Sequence, residues 1–162
     1  YAFGLPVVTV RPFNTYGPRQ SARAVVPTII TQALTAEAVH LGRLEPTRDL
    51  VYVDDTVEGF VQLASADGAI GQVIQLGTGR EISIGDLAKM VLANIERTIP
   101  VVCEPQRQRP PESEVQRLCA SPAKARRIAQ WQARYNLEDG LPRCIEWIKQ
   151  NLDHYRPHLY AT

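Results

Sequence analysis

Short runs of β-branched residues alternate along this chain with apolar stripes at helical spacing, which confines it to an α/β arrangement. Residues 5–10 (Leu-Pro-Val-Val-Thr-Val) read as a buried strand that runs into a Pro/Gly-punctuated loop at 11–18. Val26, Ile29, Ile30, Ala33 and Leu34 then form a helical stripe, with Pro27 tolerated in its first turn. Residues 39–41 and 50–53 read as short strands either side of a loop at 42–47. Asp55 is positioned to cap the next helix, with Glu58 three residues on and Phe60, Val61 and Ala64 turned inward.

The second part continues the pattern. Residues 72–76 form a strand that ends in Gly77-Thr78-Gly79. Ser83 with Asp86 opens a helix whose inner face is Ile84, Leu87, Ala88, Val91 and Ile95. Residues 101–103 allow one more strand, and the aperiodic, proline-bearing segment 104–114 reads as a loop that orders on binding. Ser121-Pro122 starts a short helix. Asn136 precedes a last helix with Leu137, Leu141, Ile145, Ile148 and Leu152 inside, and Pro142 kinks or delays it. The tail after Asp153 is expected to fray.

Charge and composition exclude several roles. The 162 residues carry a formal net charge of +1 with both signs spread along the chain, which supplies neither a nucleic-acid surface nor a membrane-binding face. No apolar run is long enough to span a bilayer. No charged segment leading into an apolar stretch opens the sequence, so no signal peptide is expected. Cys103, Cys119 and Cys144 lack CxxC spacing and read as reduced thiols of a cytoplasmic protein. His154 and His158 have i, i+4 spacing but straddle Pro157 and lack a carboxylate partner, so no metal site is expected there.

Arg11-Pro-Phe-Asn-Thr-Tyr-Gly-Pro18 resembles the R-x-x-N-x-Y-G-P signature of extended short-chain dehydrogenases/reductases, the NAD-dependent epimerase/dehydratase family. Thr47-Arg-Asp-Leu-Val-Tyr-Val-Asp-Asp55 is similar to that family's R-D-x-x-Y-V-x-D segment, and Val73-Ile-Gln-Leu-Gly77 to its late strand ending in Gly. Arg109-Pro110 with Glu114, then Ser121-Pro-Ala-Lys-Ala125 and Trp131, are similar to its R-P…E…S-K-A…G-W run. These motifs keep the family's order over residues 5–150. Among subfamilies, the run 11–24 most resembles dehydratases acting on nucleotide-linked N-acetylglucosamine-type sugars.

The resemblance implies a fold and a set of site residues. The fold is the last strands of a Rossmann-type sheet (5–18 and 72–79) plus the small α/β substrate-binding domain, as one C-terminal fragment over 1–162. Asn14 would contact a phosphate or hydroxyl of a nucleotide-sugar; the alternative is an Asn closing its own turn beside Gly17-Pro18. Pro12 and Phe13 would line the nicotinamide end of NAD, against a plain reading as strand-end packing. Arg48 and Arg109 are the diphosphate candidates, because a guanidinium matches phosphate oxygens bidentately; the alternative is a solvated arginine or surface ion pair. Glu114 would accept from ribose hydroxyls, with Glu112 as the alternative. Val25, Val26 and the backbone around His40 and Leu41 would form the slot for the base, the His40 side chain being an exposed strand residue and not an acid or base.

Two departures are visible. Gln130 stands where the family pattern has Gly before Trp131, so the helix end must place Gln at positive φ or be remodelled. Ala24 occupies a position where some dehydratases keep a Lys on the substrate phosphate.

The family's G-x-x-G-x-x-G loop and Tyr-x-x-x-Lys pair precede R-x-x-N-x-Y-G-P, and this sequence has neither. Gly77-Thr78-Gly79 is a partial match with Ile82 at the third position, and reads as a turn and not a phosphate loop. The expectation is therefore the substrate-binding part of an NAD-dependent sugar-nucleotide epimerase or 4,6-dehydratase, inactive alone and binding nucleotide-sugar weakly and NAD not at all. The alternative is a free-standing, non-catalytic binding or oligomerising module. The strand at 5–10, apolar on both faces with one neighbour missing, predicts a homo-oligomer.

Overall fold

A computed structural model of the chain describes residues 3–108 and 110–155. It contains nine strands and five α-helices among those residues. In chain order they are β1 (Thr9–Pro12), β2 (Asn14–Tyr16), α1 (Val25–Thr35), β3 (Val39–Leu41), β4 (Thr47–Arg48), β5 (Leu50–Tyr52), α2 (Val53–Ala64) and β6 (Val73–Leu76). They continue with β7 (Ile82–Ser83), α3 (Ile84–Ile95), β8 (Val101–Cys103), β9 (Arg117–Leu118), α4 (Ala123–Ala129) and α5 (Leu137–Gln150). The pairs β1–β6, β2–β5 and β3–β8 are each parallel, and β4 sits between β7 (antiparallel) and β9 (parallel). Parallel pairing between strands distant in sequence, with helices between them, is the arrangement of a Rossmann-type α/β fold.

Strand β5 organises the interior. Because side chains alternate across a strand, Leu50 and Tyr52 enter one apolar core and Val51 enters the other. The larger core joins Tyr16 to α1, β3, α3 and α5. The smaller one packs Ile74 and Leu76 of β6 against Leu63 of α2, Ala125 of α4 and Trp131. All three β5 residues are buried, as a strand covered on both faces requires.

Local rules account for several boundaries. The Ser83 hydroxyl accepts from the Asp86 N–H at 3.0 Å and caps α3. The Asn136 side chain accepts from the Asp139 N–H at 2.8 Å and caps α5. Pro142 lies inside α5 as its sixth residue, so the ladder lacks the N–H that would reach the Glu138 carbonyl, yet the helix continues to Gln150. Gln130 closes α4 in the left-handed region at φ 55°, so the helix end keeps the geometry that usually falls to Gly.

Other expectations are corrected. Only residues 9–12 of the first segment form a strand, in register with Val73–Leu76, and Leu5 and Val7 stand exposed outside it. The loop expected at 11–18 contains β2, paired with β5. Asp55 does not cap α2; the cap position is Tyr52, and Asp55 is a buried first-turn residue. Its Oδ2 accepts from the N–H groups of Arg134 and Tyr135 at 3.0 and 2.9 Å, so it holds the segment before α5.

The inner face of α2 also differs from expectation. Phe60, Val61 and Ala64 face outward, while Thr56, Gly59 and Leu63 face in. A Cβ on Gly59 would lie 2.6 Å from Leu76 Cδ1 and 3.0 Å from Trp131 Nε1, so β6 and the indole set the helix phase through a residue that has no side chain. Leu152, expected inside the last helix, falls in a short 3₁₀ turn after it (Leu152–His154). The segment 104–114 contains two such turns, Pro105–Arg107 and Pro111–Ser113. No described helix is long and apolar enough to cross a membrane.

Asp49 is fully buried and accepts four hydrogen bonds. They come from the Thr78 N–H and hydroxyl at 2.9 and 2.7 Å, the Gly79 N–H at 2.9 Å and the Ala120 N–H at 3.1 Å. Asp49→Ala strands those donors without water, and is expected to cost about 3–5 kcal/mol in denaturant unfolding. A loss under about 1 kcal/mol contradicts this account. Gln130→Gly relieves the left-handed strain but frees the unfolded chain. Its expected net effect in the same measurement is a gain of about 0.5–1 kcal/mol.

Candidate functional site

Residues that are far apart in sequence converge on one open cleft of about 830 Å³. The β2 strand brings Asn14 and Thr15 to it, the first turn of α1 brings Val25 and Val26, and β3 brings His40 and Leu41. Arg48 of β4 and Glu114 complete the set picked from the sequence. Of the residues singled out there, Arg109 lies outside the described residues. Glu112 is absent from the cleft lining, so Glu114 is the carboxylate at this site.

Arg48 and Glu114 meet each other. The Arg48 Nη2 donates to Glu114 Oε1 at 3.0 Å, with the two side chains 15% and 9% exposed. Its Nη1 donates to the carbonyls of Thr47 at 2.8 Å and Val115 at 2.7 Å. A guanidinium held by three acceptors keeps a fixed orientation, and its charge is offset by one resident carboxylate.

Asn14 is half-buried, and no hydrogen bond joins its carboxamide to the turn beside Gly17-Pro18. A carboxamide on a cleft wall with donor and acceptor both open can serve a polar ligand. Next to it, the Thr15 hydroxyl is engaged with Thr56 at 3.0 Å. The Gln20 amide donates to the Thr15 carbonyl at 2.7 Å, which fixes the loop after β2.

His40 is tied down at three points. Its Nδ1 lies 2.7 Å from Glu104 Oε1, and its backbone N–H and carbonyl are bridged by the Gln32 carboxamide at 2.8 and 3.2 Å. Glu104 also accepts from the Arg107 guanidinium, and that hydrogen bond, with His40 nearby, holds its carboxyl below the usual range. The His40 side chain thus serves an ion-pair cluster at the cleft edge.

Sequence reasoning missed part of the lining. Arg23, Arg43 and Arg107 reach the cleft, which makes it cationic against the one carboxylate of Glu114. Arg23 directly precedes Ala24, so a cation is present one residue from the position that lacks Lys. Tyr155, which donates to the Gln20 carbonyl at 3.1 Å, also lines the cleft from beyond the last helix. Arg23 falls within the run 11–24 but was not singled out there, and no motif marks Arg43, Arg107 or Tyr155; the fold brings them together.

Pro12 and Phe13, suggested for the nicotinamide end of NAD, stand at and just after the end of β1. Pro12 pairs with Leu76 along β1, and Phe13 packs against the core around Trp131; neither lines the cleft. The Gly77-Thr78-Gly79 turn does present its N–H groups to an anion, but that anion is the Asp49 carboxylate. A Cβ on Gly77 would lie 2.1 Å from Ala120 Cβ, so this glycine serves close packing. A pyrophosphate has no access to these donors while Asp49 holds them.

Two of the three thiols are shielded, and Cys103 is exposed. Cys144 is buried in the larger core, and burial pushes its thiol up to about 12. Burial raises Cys119 as well. No group of three or more metal-ligating side chains occurs among the described residues, and His158 lies outside them.

Comparison with known proteins places this geometry. The chain is 30% identical over 151 residues to a trifunctional UDP-glucose 4,6-dehydratase/UDP-4-keto-6-deoxy-D-glucose 3,5-epimerase/UDP-4-keto-L-rhamnose-reductase of Arabidopsis thaliana, an alignment covering 93% of this chain and 22% of that protein. Among solved structures, an epimerase of Methanothermobacter thermautotrophicus superposes with a TM-score of 0.86 at 29% identity, covering 95% of this chain and 46% of that one. A UDP-glucuronic acid 4-epimerase of Bacillus cereus, solved in complex with UDP-glucuronic acid and NAD, superposes with a TM-score of 0.84 at 29% identity, covering 92% of this chain and 47% of that one. The chain therefore spans less than half the length of these relatives. The family described as GDP-mannose 4,6 dehydratase matches residues 1–144, and the chain belongs to that family of NAD-dependent epimerases and dehydratases within the extended short-chain dehydrogenases/reductases.

Proposed function

We propose that this chain is the nucleotide-sugar-binding part of an NAD-dependent sugar-nucleotide epimerase or 4,6-dehydratase, and that it corresponds to the C-terminal, substrate-binding portion of such an enzyme. The observation that carries this is the convergence of Asn14, Arg48 and Glu114, chosen from three separate motifs, on one cationic cleft. The diphosphate is met by Arg48 with Arg109, a ribose by Glu114, and the base by Val25, Val26, His40 and Leu41. Arg23, on the same cleft, supplies the cation that Ala24 does not. The protein acts in the cytoplasm, consistent with its free cysteines. Nucleic acid and membrane are not among its partners.

In this reading hydride transfer and proton abstraction belong to residues outside this sequence. No described residue of the cleft pairs a base with a hydroxyl donor in the manner of Tyr-x-x-x-Lys, and the glycine turn is filled by Asp49. The chain alone is therefore catalytically silent and does not hold NAD. A second reading, a free-standing oligomerising module, draws on the open side of β1. Phe3, Leu5 and Val7, in the segment before it, are exposed, and β1 pairs with β6 alone among the described residues.

Titration of the purified chain with UDP, dTDP and GDP, followed by NMR, is expected to shift resonances of Asn14, Arg48 and Val25. The expected Kd is about millimolar to high micromolar, since only one wall of a full site is present. Arg48→Ala and Arg109→Ala are each expected to weaken binding at least about tenfold, which is about 1.4 kcal/mol. No 4-keto sugar should form with NAD and a panel of nucleotide sugars. Unmoved cleft resonances, or measurable turnover, overturn the reading. Light scattering tests the open edge: the wild type is expected to be a dimer or larger, and Leu5→Lys with Val7→Lys is expected to be monomeric. A monomeric wild type excludes the oligomerising module.

A further inference from the structure

A second cavity of about 350 Å³ lies behind the cleft, with Leu50 contributing to both. We propose that it binds a small organic anion with an apolar, ring-sized body, independently of any nucleotide in the cleft. The volume is at the lower end of small-molecule sites, enough for one ring and an anionic group.

Two buried carboxylates hold its walls in place before any ligand arrives. Asp49 pins the turn at 77–79 through the N–H groups of Thr78 and Gly79, and Asp55 pins Arg134 and Tyr135 through theirs. A preformed site has little ordering entropy left to lose on binding. The apolar surface comes from Leu50, Ile82, Met90, Leu137 and the Tyr135 ring. That ring is held by Tyr52 at 4.7 Å between centroids and by the Arg143 guanidinium at 4.8 Å. Met90 lets the floor adapt to the shape of the body it contacts.

The polar side of the cavity is cationic and under-used. Arg80, Arg126 and Arg134 all line it. Arg80 reaches Glu138 only at 3.6 Å and Arg134 reaches Asp55 only at 3.6 Å, both longer than a charge-assisted hydrogen bond. The Arg126 guanidinium has no hydrogen-bond or ion-pair partner among the described residues, its backbone N–H alone bonding to the Pro122 carbonyl. The other lining carboxylate, Glu81, is already engaged by the Thr47 hydroxyl at 2.6 Å and Arg117 at 2.7 Å, and these hydrogen bonds hold its carboxyl below the usual range. The rim thus offers guanidinium N–H donors from Arg80, Arg126 and Arg134, which outnumber the one loosely held carboxylate of Glu138 and suit a carboxylate or a phosphate monoester.

Phenyl phosphate is the probe, with benzyl alcohol as its uncharged counterpart and inorganic phosphate as the anion without the ring. In NMR titrations of the full chain, phenyl phosphate is expected to shift Ile82, Met90 and Leu137 while Asn14 and Val25 stay still. Benzyl alcohol and inorganic phosphate are each expected to bind at least about fivefold more weakly. Arg80→Gln with Arg126→Gln, both on exposed side chains, is expected to weaken phenyl phosphate about tenfold and leave UDP binding in the cleft unchanged. Saturating UDP should leave the phenyl phosphate shifts in place, which separates this site from the cleft whatever the cleft proves to bind. Shifts confined to the cleft, equal binding of benzyl alcohol, or an affinity unmoved by the double substitution overturns the proposal.

Discussion

The Asp49 carboxylate is the interaction on which the rest of this structure depends. It sits between Arg48 and Leu50, so three successive residues face the main cleft, the buried turn and the apolar interior. Four donors from two other segments meet on its oxygens, which ties β5 to the end of β6 and to the start of α4. An isolated buried carboxylate is costly, and one fully supplied with N–H and O–H donors fixes its surroundings. The orientation of Arg48 is inherited from this arrangement, because β4 and β5 are separated by Asp49 alone.

A second division of labour follows from β5. Its three residues separate two cores by strand alternation, and Leu50 lines both the cleft and the smaller cavity. Asp55 repeats the logic of Asp49 six residues further on, in the first turn of α2. Its side chain holds the backbone before α5, and its carbonyl accepts from Trp131 Nε1 at 2.9 Å. Both carboxylates bond to backbone N–H groups of segments remote in sequence, which is how a chain of short strands acquires fixed loops.

What could be read from the sequence was mostly local. The cap at Ser83 is decided within three residues and formed as read, and Asn136, read only as preceding the last helix, caps it by the same local rule. Strand β3 and the helix from Val25 follow from periodicity over a few turns. The cleft residues were legible only through the motifs that resemble a known family, since no spacing rule links Asn14 to Glu114. The errors have non-local causes. The extent of β1 is set by the four residues of β6 opposite it, which left Leu5 and Val7 outside the strand. The phase of α2 is set by Gly59 against Leu76 and Trp131, so a stripe of larger residues pointed the wrong way. Strands β4, β7 and β9 have two residues each and carry no periodic signal. The second cavity draws its walls from three separated stretches, and no one of them suggests a site.

The pairing of Arg48 with Glu114 gives the cleft the character of an ion exchanger whose resident anion is covalently tethered. At Arg48 an incoming anion would meet a guanidinium already paired with Glu114. To take that place it would have to displace the carboxylate, so fewer mobile ions would be released there than at an unpaired cation. Such an exchange responds to ionic strength more weakly than binding to an open basic patch does. A singly charged anion replaces like with like and gains little, whereas a diphosphate brings more charge than the group it evicts. The threshold between the two is set by Glu114, not by the arginine it neutralises.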